Sequence, residues 1–139
     1  MTINFRVRVK HRKVVVTGGG AKAPDGNAKV RPGTRIRWQI HDANQTFSLA
    51  FEDMVFADSA ENPPPAWPFA ATPPVDTDGD YDEASGTVSG ATYFEGVARD
   101  VDLAFVQYTA SIPTFTSTDE YEVAEPVAST DPVIIIGRR

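Results

Sequence analysis

At the start of the chain, Ile3, Phe5, Val7 and Val9 alternate with Asn4, Arg6, Arg8 and Lys10. A period of two puts each set on its own side of an extended strand. The apolar set needs a core and the basic set needs water or an anion, so the segment reads as a half-buried strand. The rest of the chain is written in residues that suit the same geometry. It holds 15 Val, 7 Ile and 13 Thr, against two Leu and two Met. β-Branched side chains are stiff at χ1 and fit a pleated surface, whereas Leu and Met are favoured in helices. The chain is therefore expected to be almost all β.

Further strands are expected at 13–17, 34–40, 46–56, 92–97, 101–112, 121–127 and 132–137. In the second of these, Ile36, Trp38 and Ile40 share one face, with Arg35, Arg37 and Gln39 on the other. Gly18, Gly19 and Gly20, and the run from Pro24 to Asn27, supply turn chemistry. Residues 57–91 break the pattern. Six of the eleven prolines fall between Pro63 and Pro74, and an acidic run follows. A connection of that length more often covers a fold or carries function than fills space. Short strands separated by turn signals, in 139 residues, fit one domain spanning 1–139. The expected architecture is a Greek-key β-sandwich of about seven to nine strands, with 57–91 as a long Pro-rich and acidic insertion.

The chain has no cysteine, which excludes disulfides, thiolate metal sites and a cysteine nucleophile. The N-terminal residues enter the strand pattern at once, with no apolar signal-peptide stretch, and no apolar run approaches the roughly 20 residues that span a bilayer. No membrane insertion is expected. Charge is divided sharply along the chain. Residues 1–37 hold ten Lys and Arg against the single acid Asp25, and residues 38–139 hold three Arg against eighteen acids. A net charge of −6 argues against general nucleic-acid binding. Two resolutions of the split are open. Basic strands lie beside acidic ones in the same fold, or the molecule is a dipole that meets the opposite end of another. The partner expected is accordingly a protein or a copy of the chain itself, which allows a homo-oligomer.

Four groups of residues are candidates for function. Arg6, Arg8, Lys10, Arg35 and Arg37 form a basic ladder that either pairs with acidic strands of the same chain or faces an acidic partner. Asp76, Asp78, Asp80 and Asp82 stand at every second position around Gly79. Several such carboxylates could curl round a hard cation such as calcium, although the spacing is not that of an EF-hand. The alternative is a solvated acidic loop. Trp67 and Phe69, in a Pro-rich stretch with a Pro-x-x-Pro match, either cover the end of the sandwich or form an exposed binding loop. His11 and His41 are the only imidazoles. His41 beside Asp42 could suggest acid–base work, but no nucleophile is identifiable near it and a turn histidine is the plainer reading.

Two segments resemble a cupredoxin-type β-sandwich. Residues 30–38 (VRPGTRIRW), the polar turn 39–46 (QIHDANQT) and residues 47–51 (FSLAF) are similar to that family's Pro-Gly, alternating strand ending in Trp, turn, and strand that opens with a copper-ligating His. Residues 108–113 (YTASIP) are similar to its Tyr-x-Cys segment, which leads to a second His and then a Met. Residues 131–136 (DPVIII) suit a last strand. Together these cover about a third of the chain. The resemblance implies a cupredoxin- or immunoglobulin-like scaffold. Blue-copper sites need a thiolate and two imidazoles, and at those positions this chain has Ala110, Gln45 or Thr46, and Pro113. The family's electron-transfer role therefore does not carry over.

The sequence thus leads to a non-enzymatic module, without catalytic residues, that acts through its surface in protein binding or self-assembly. The alternative is a calcium-stabilised extracellular or cell-surface binding domain using residues 76–83.

Overall fold

A computed structural model describes residues 2–10, 13–18, 27–56, 67–101, 103–112 and 133–137, without the side chains of residues 10, 13 and 53–56. Eleven strands are described: β1 (Thr2–Lys10), β2 (Lys13–Gly18), β3 (Ala28–Val30), β4 (Arg35–Ile40), β5 (Phe47–Phe56), β6 (Asp76–Thr77), β7 (Asp80–Asp82), β8 (Thr87–Ala91), β9 (Tyr93–Val97), β10 (Leu103–Ser111) and β11 (Val133–Gly137). The protein is all β, a sandwich of two sheets. One has the order β2-β1-β4-β9-β6 and the other β3-β11-β10-β5-β8-β7. Both are mixed, because β1 runs parallel to β4 and β11 parallel to β3.

The alternation at the start of the chain is realised as written. Phe5 and Val7 are buried, and Asn4 and Arg6 lie on the outer face. In β4 the same period buries Ile36, Trp38 and Ile40. The second sheet contributes Phe47, Leu49, Phe51, Val106, Tyr108, Ala110, Ile134 and Ile136. Trp38 lies at the centre of this layer. Its ring centroid is 5.2 Å from Phe5, 5.4 Å from Tyr108, 5.8 Å from Phe51 and 6.0 Å from Phe69. Tilted and edge-on rings of this kind are each worth about 0.5–1.5 kcal/mol beyond the area they bury. Burial pushes the Tyr108 hydroxyl well above its ordinary pKa, the neighbouring Trp38 indole only partly offsetting the effect.

The strand count exceeds the seven to nine expected, and the reason is local. Strands β3, β6 and β7 are two or three residues long, too short for a period to show in sequence. Residues 57–91 are correspondingly not one insertion. From residue 67 onward they belong to the sandwich: Trp67 and Phe69 enter the core, and β6, β7 and β8 extend the two sheets. The segment around Phe69 is tied to the end of β9 by backbone bonds from Ala70 N–H to Val97 O at 2.7 Å and from Arg99 N–H to Pro68 O at 2.9 Å. Gly96 makes the fit possible, because a Cβ at that position would run into the Phe69 ring. Residues 57–66 and the expected strand 121–127 lie outside the described residues.

Candidate interaction face

The outer face of the first sheet collects the described side chains of the basic ladder, Arg6, Arg8, Arg35 and Arg37. Strand alternation turns Asn4, Arg6 and Arg8 of β1 outward, and Arg35, Arg37 and Gln39 of β4. The register sets them in rows: Thr2 beside Arg35, Asn4 beside Arg37, Arg6 beside Gln39. On its other side β4 meets β9, with Gln39 beside Tyr93 and Arg37 beside Glu95. Asp76 of β6 then lies beside Glu95. Charge therefore runs across the face from basic at β1 to acidic at β6.

The two halves of the ladder differ. Arg35 Nη1 donates to Glu95 Oε2 at 3.4 Å, and Arg37 Nη1 lies 3.9 Å from Glu95 Oε1. The Arg37 guanidinium also sits 4.7 Å above the Tyr93 ring. These two arginines are partnered within the chain, each exposed pair contributing about 0.2–1 kcal/mol. Arg6 and Arg8 have no carboxylate partner among the described residues. Arg6 is exposed. Arg8 is half-buried, and its Nε is buried with no acceptor among the described residues. The Lys10 side chain lies outside the described residues.

The four aspartates of the acidic run separate. The chain leaves the first sheet after Thr77 and joins the second at Asp80. At the crossing, Asp78 accepts hydrogen bonds from Thr92 N–H at 2.8 Å, Tyr93 N–H at 3.3 Å and the Thr92 hydroxyl. Desolvation alone would raise its pKa, but these bonds outweigh it and hold the carboxyl below its ordinary value of 3.8. Thr77 Oγ1 donates to Tyr93 O at 2.7 Å and accepts from Gly79 N–H at 3.1 Å. Asp76 accepts from the Tyr93 hydroxyl at 3.2 Å. That bond, with burial and the charges of Asp76 and Asp78, raises the Tyr93 pKa against the opposing effect of Arg37. Asp82 Oδ1 caps the next turn through Ala84 N–H at 3.0 Å. Asp80 and Glu83 are exposed on the edge of the second sheet. Among the described residues, no three carboxylates or imidazoles come together as the ligands of a cation would.

Trp67 and Phe69 are each only 4% exposed. Their rings meet at 5.2 Å and pack on Phe51 and Phe94, so neither offers a partner a surface. Tyr81 of β7, 43% exposed, stacks on Trp67 at 5.8 Å. His41 is exposed just after β4, its N–H donating to Val7 O at 2.9 Å. Asp42 turns away to accept from Asn44 N–H at 3.0 Å, so it closes the turn rather than orienting the imidazole. His11 lies outside the described residues. Of the positions the cupredoxin resemblance would give to copper ligands, Gln45 and Thr46 are half-buried, Ala110 is buried, and Pro113 lies outside the described residues.

The face also carries a shallow, open depression of about 350 Å³, lined by Arg6, Arg37, Gln39, His41, Thr92 and Tyr93 together with Ile40 and Ala43. Thr92, Tyr93 and Glu95 were not among the sequence candidates. Tyr93 and Glu95 alternate with buried Phe94 and Gly96, a signal visible in the sequence. That β9 would lie beside β4 was not visible, because strand order is set by long-range pairing. Compared with known proteins, the chain matches no family model and no curated protein.

Proposed function

We propose that this protein is a non-enzymatic module that acts through its surface, and that its partner is another copy of itself docked head to tail. One observation carries the reading. Arg6 and Arg8 have no carboxylate partner among the described residues, while Asp80 and Glu83, exposed at the edge of the other sheet, have no cation there. Two different surfaces of opposite sign on one molecule favour a heterologous contact, which closes into a ring or extends as a filament. Charge complementarity of this type sets register and association rate more than bulk affinity. We read the scaffold beneath it as cupredoxin-like with the copper chemistry gone. The Pro-Gly, β4 and β5 run supports that reading, and Ala110 stands buried where the resemblance would put a thiolate.

The test is sedimentation velocity across salt. Between about 0.01 M and 1 M salt the screening length falls from about 30 Å to 3 Å. Concentration-dependent association at low salt that fades at high salt is the expected result. A monomer at every salt and protein concentration rules out the self-association.

A further inference from the structure

We infer that the depression bounded by Arg6, Arg37 and His41 binds a tetrahedral oxyanion of the phosphate or sulfate class. Its position in the sheet is what makes it a site. Arg6, Gln39 and Tyr93 form one row across β1, β4 and β9, and Arg37 stands in the next row of β4. His41 closes the end of β4. Two guanidiniums, an imidazole and a side-chain amide thus converge on one open hollow of about 350 Å³. No acidic residue lines it, although the whole chain carries a net charge of −6.

The far wall is already fixed. The Thr92 hydroxyl is committed to Asp78, and the Tyr93 hydroxyl to Asp76. Arg37 is held by Glu95 on one side and by the Tyr93 ring below. A guanidinium held in place loses little side-chain entropy when an anion arrives. Arg6, exposed and with no carboxylate among the described residues, supplies the free fork. Planar guanidiniums match phosphate oxygens two at a time, and charge-assisted bonds of this kind are about twice as strong as neutral ones. The Gln39 amide, beside Arg6 in register, adds a donor between the two arginines. The site does not depend on self-association, since a monomer presents it complete. Because both use Arg6, bound oxyanion would compete with a docked copy.

The experiment is an amide-resolved NMR titration of the full chain at constant ionic strength, with inorganic phosphate, inorganic sulfate and phosphoserine, and with chloride as reference. Saturable shifts confined to residues 6, 37, 39–41, 43, 92 and 93 are the expected result. Arg6→Gln should weaken binding about tenfold or more. Gln39→Glu, which puts a carboxylate into the hollow, should abolish it. Arg31→Gln changes the net charge as Arg6→Gln does, at an exposed position outside the hollow, and should leave binding within about twofold. Saturation by the inorganic ions marks a free-anion site. Saturation by phosphoserine alone marks one that takes the esterified group. The inference is overturned if all ligands give the same unsaturating shifts as chloride, or if Arg31→Gln loses as much affinity as Arg6→Gln.

Discussion

Asp78 shows how little of a residue's role its neighbours in sequence reveal. Read along the chain it is the second of four evenly spaced carboxylates, which suggests a cation. In the fold it is a pin, receiving two N–H groups and a hydroxyl from Thr92 and Tyr93 where the chain passes between sheets. Its folded pKa lies below 3.8, so its contribution to stability is complete above that ordinary value and is lost as pH falls through the lowered one. Asp78→Ala should cost about 2 kcal/mol in urea unfolding at pH 7, from the net worth of the bonds removed. The gap between wild type and variant should narrow as pH falls below that ordinary value. A gap that stays constant down to pH 2 would contradict this role. Because Asp76, Asp78 and Asp82 bond to separate partners and Asp80 stands exposed apart from them, millimolar calcium should leave the melting temperature unchanged. A rise of several degrees would restore the cation reading.

At the scale of the element, the strands with clear alternation were legible. Strands β1, β4, β5, β10 and β11 fall within a residue or two of where the period of two puts them, because that period is enforced by burial on one face alone. What was illegible is the short edge strands β3, β6 and β7 and the packing of the segment from residue 67. The sequence left open whether Trp67 and Phe69 cover the sandwich or stand exposed, and only the fold shows that they fill space over Phe51 and Phe94. Gly96 and Phe69 form the key pair. Gly96→Ala should destabilise by about 2 kcal/mol, a typical overpacking cost, and Phe69→Ala by about 3–4 kcal/mol through the cavity it leaves. In the double variant the alanine Cβ no longer meets a ring, so its loss should be smaller than the sum of the two. Strict additivity in chemical denaturation would show that the two side chains do not compete for one space.

For the molecule as a whole, the charge split was the most legible feature, yet its resolution was only half visible. Of the two alternatives drawn from the sequence, pairing within the fold is realised on β4, and docking on another copy is what we propose for β1. Arg35 and Arg37 are answered by Glu95 inside the sheet, which a linear reading could not assign. Arg6, one strand further out, finds no carboxylate among the described residues, and Asp80 and Glu83 present the opposite sign elsewhere. The candidate face was legible as a ladder of arginines. The hollow beside it was not, since it needs three strands in register.

The most direct measurement mixes two charge-reversed proteins, Arg6→Glu and the double variant Asp80→Lys, Glu83→Lys. None of these side chains makes a hydrogen bond or ion pair among the described residues. At low salt each variant alone should sediment as a monomer, because like charges now face each other at the contact. An equimolar mixture should associate, because the basic edge of one meets the acidic face of the other. If the wild type associates but the mixture stays monomeric, the contact lies elsewhere and the head-to-tail account is wrong.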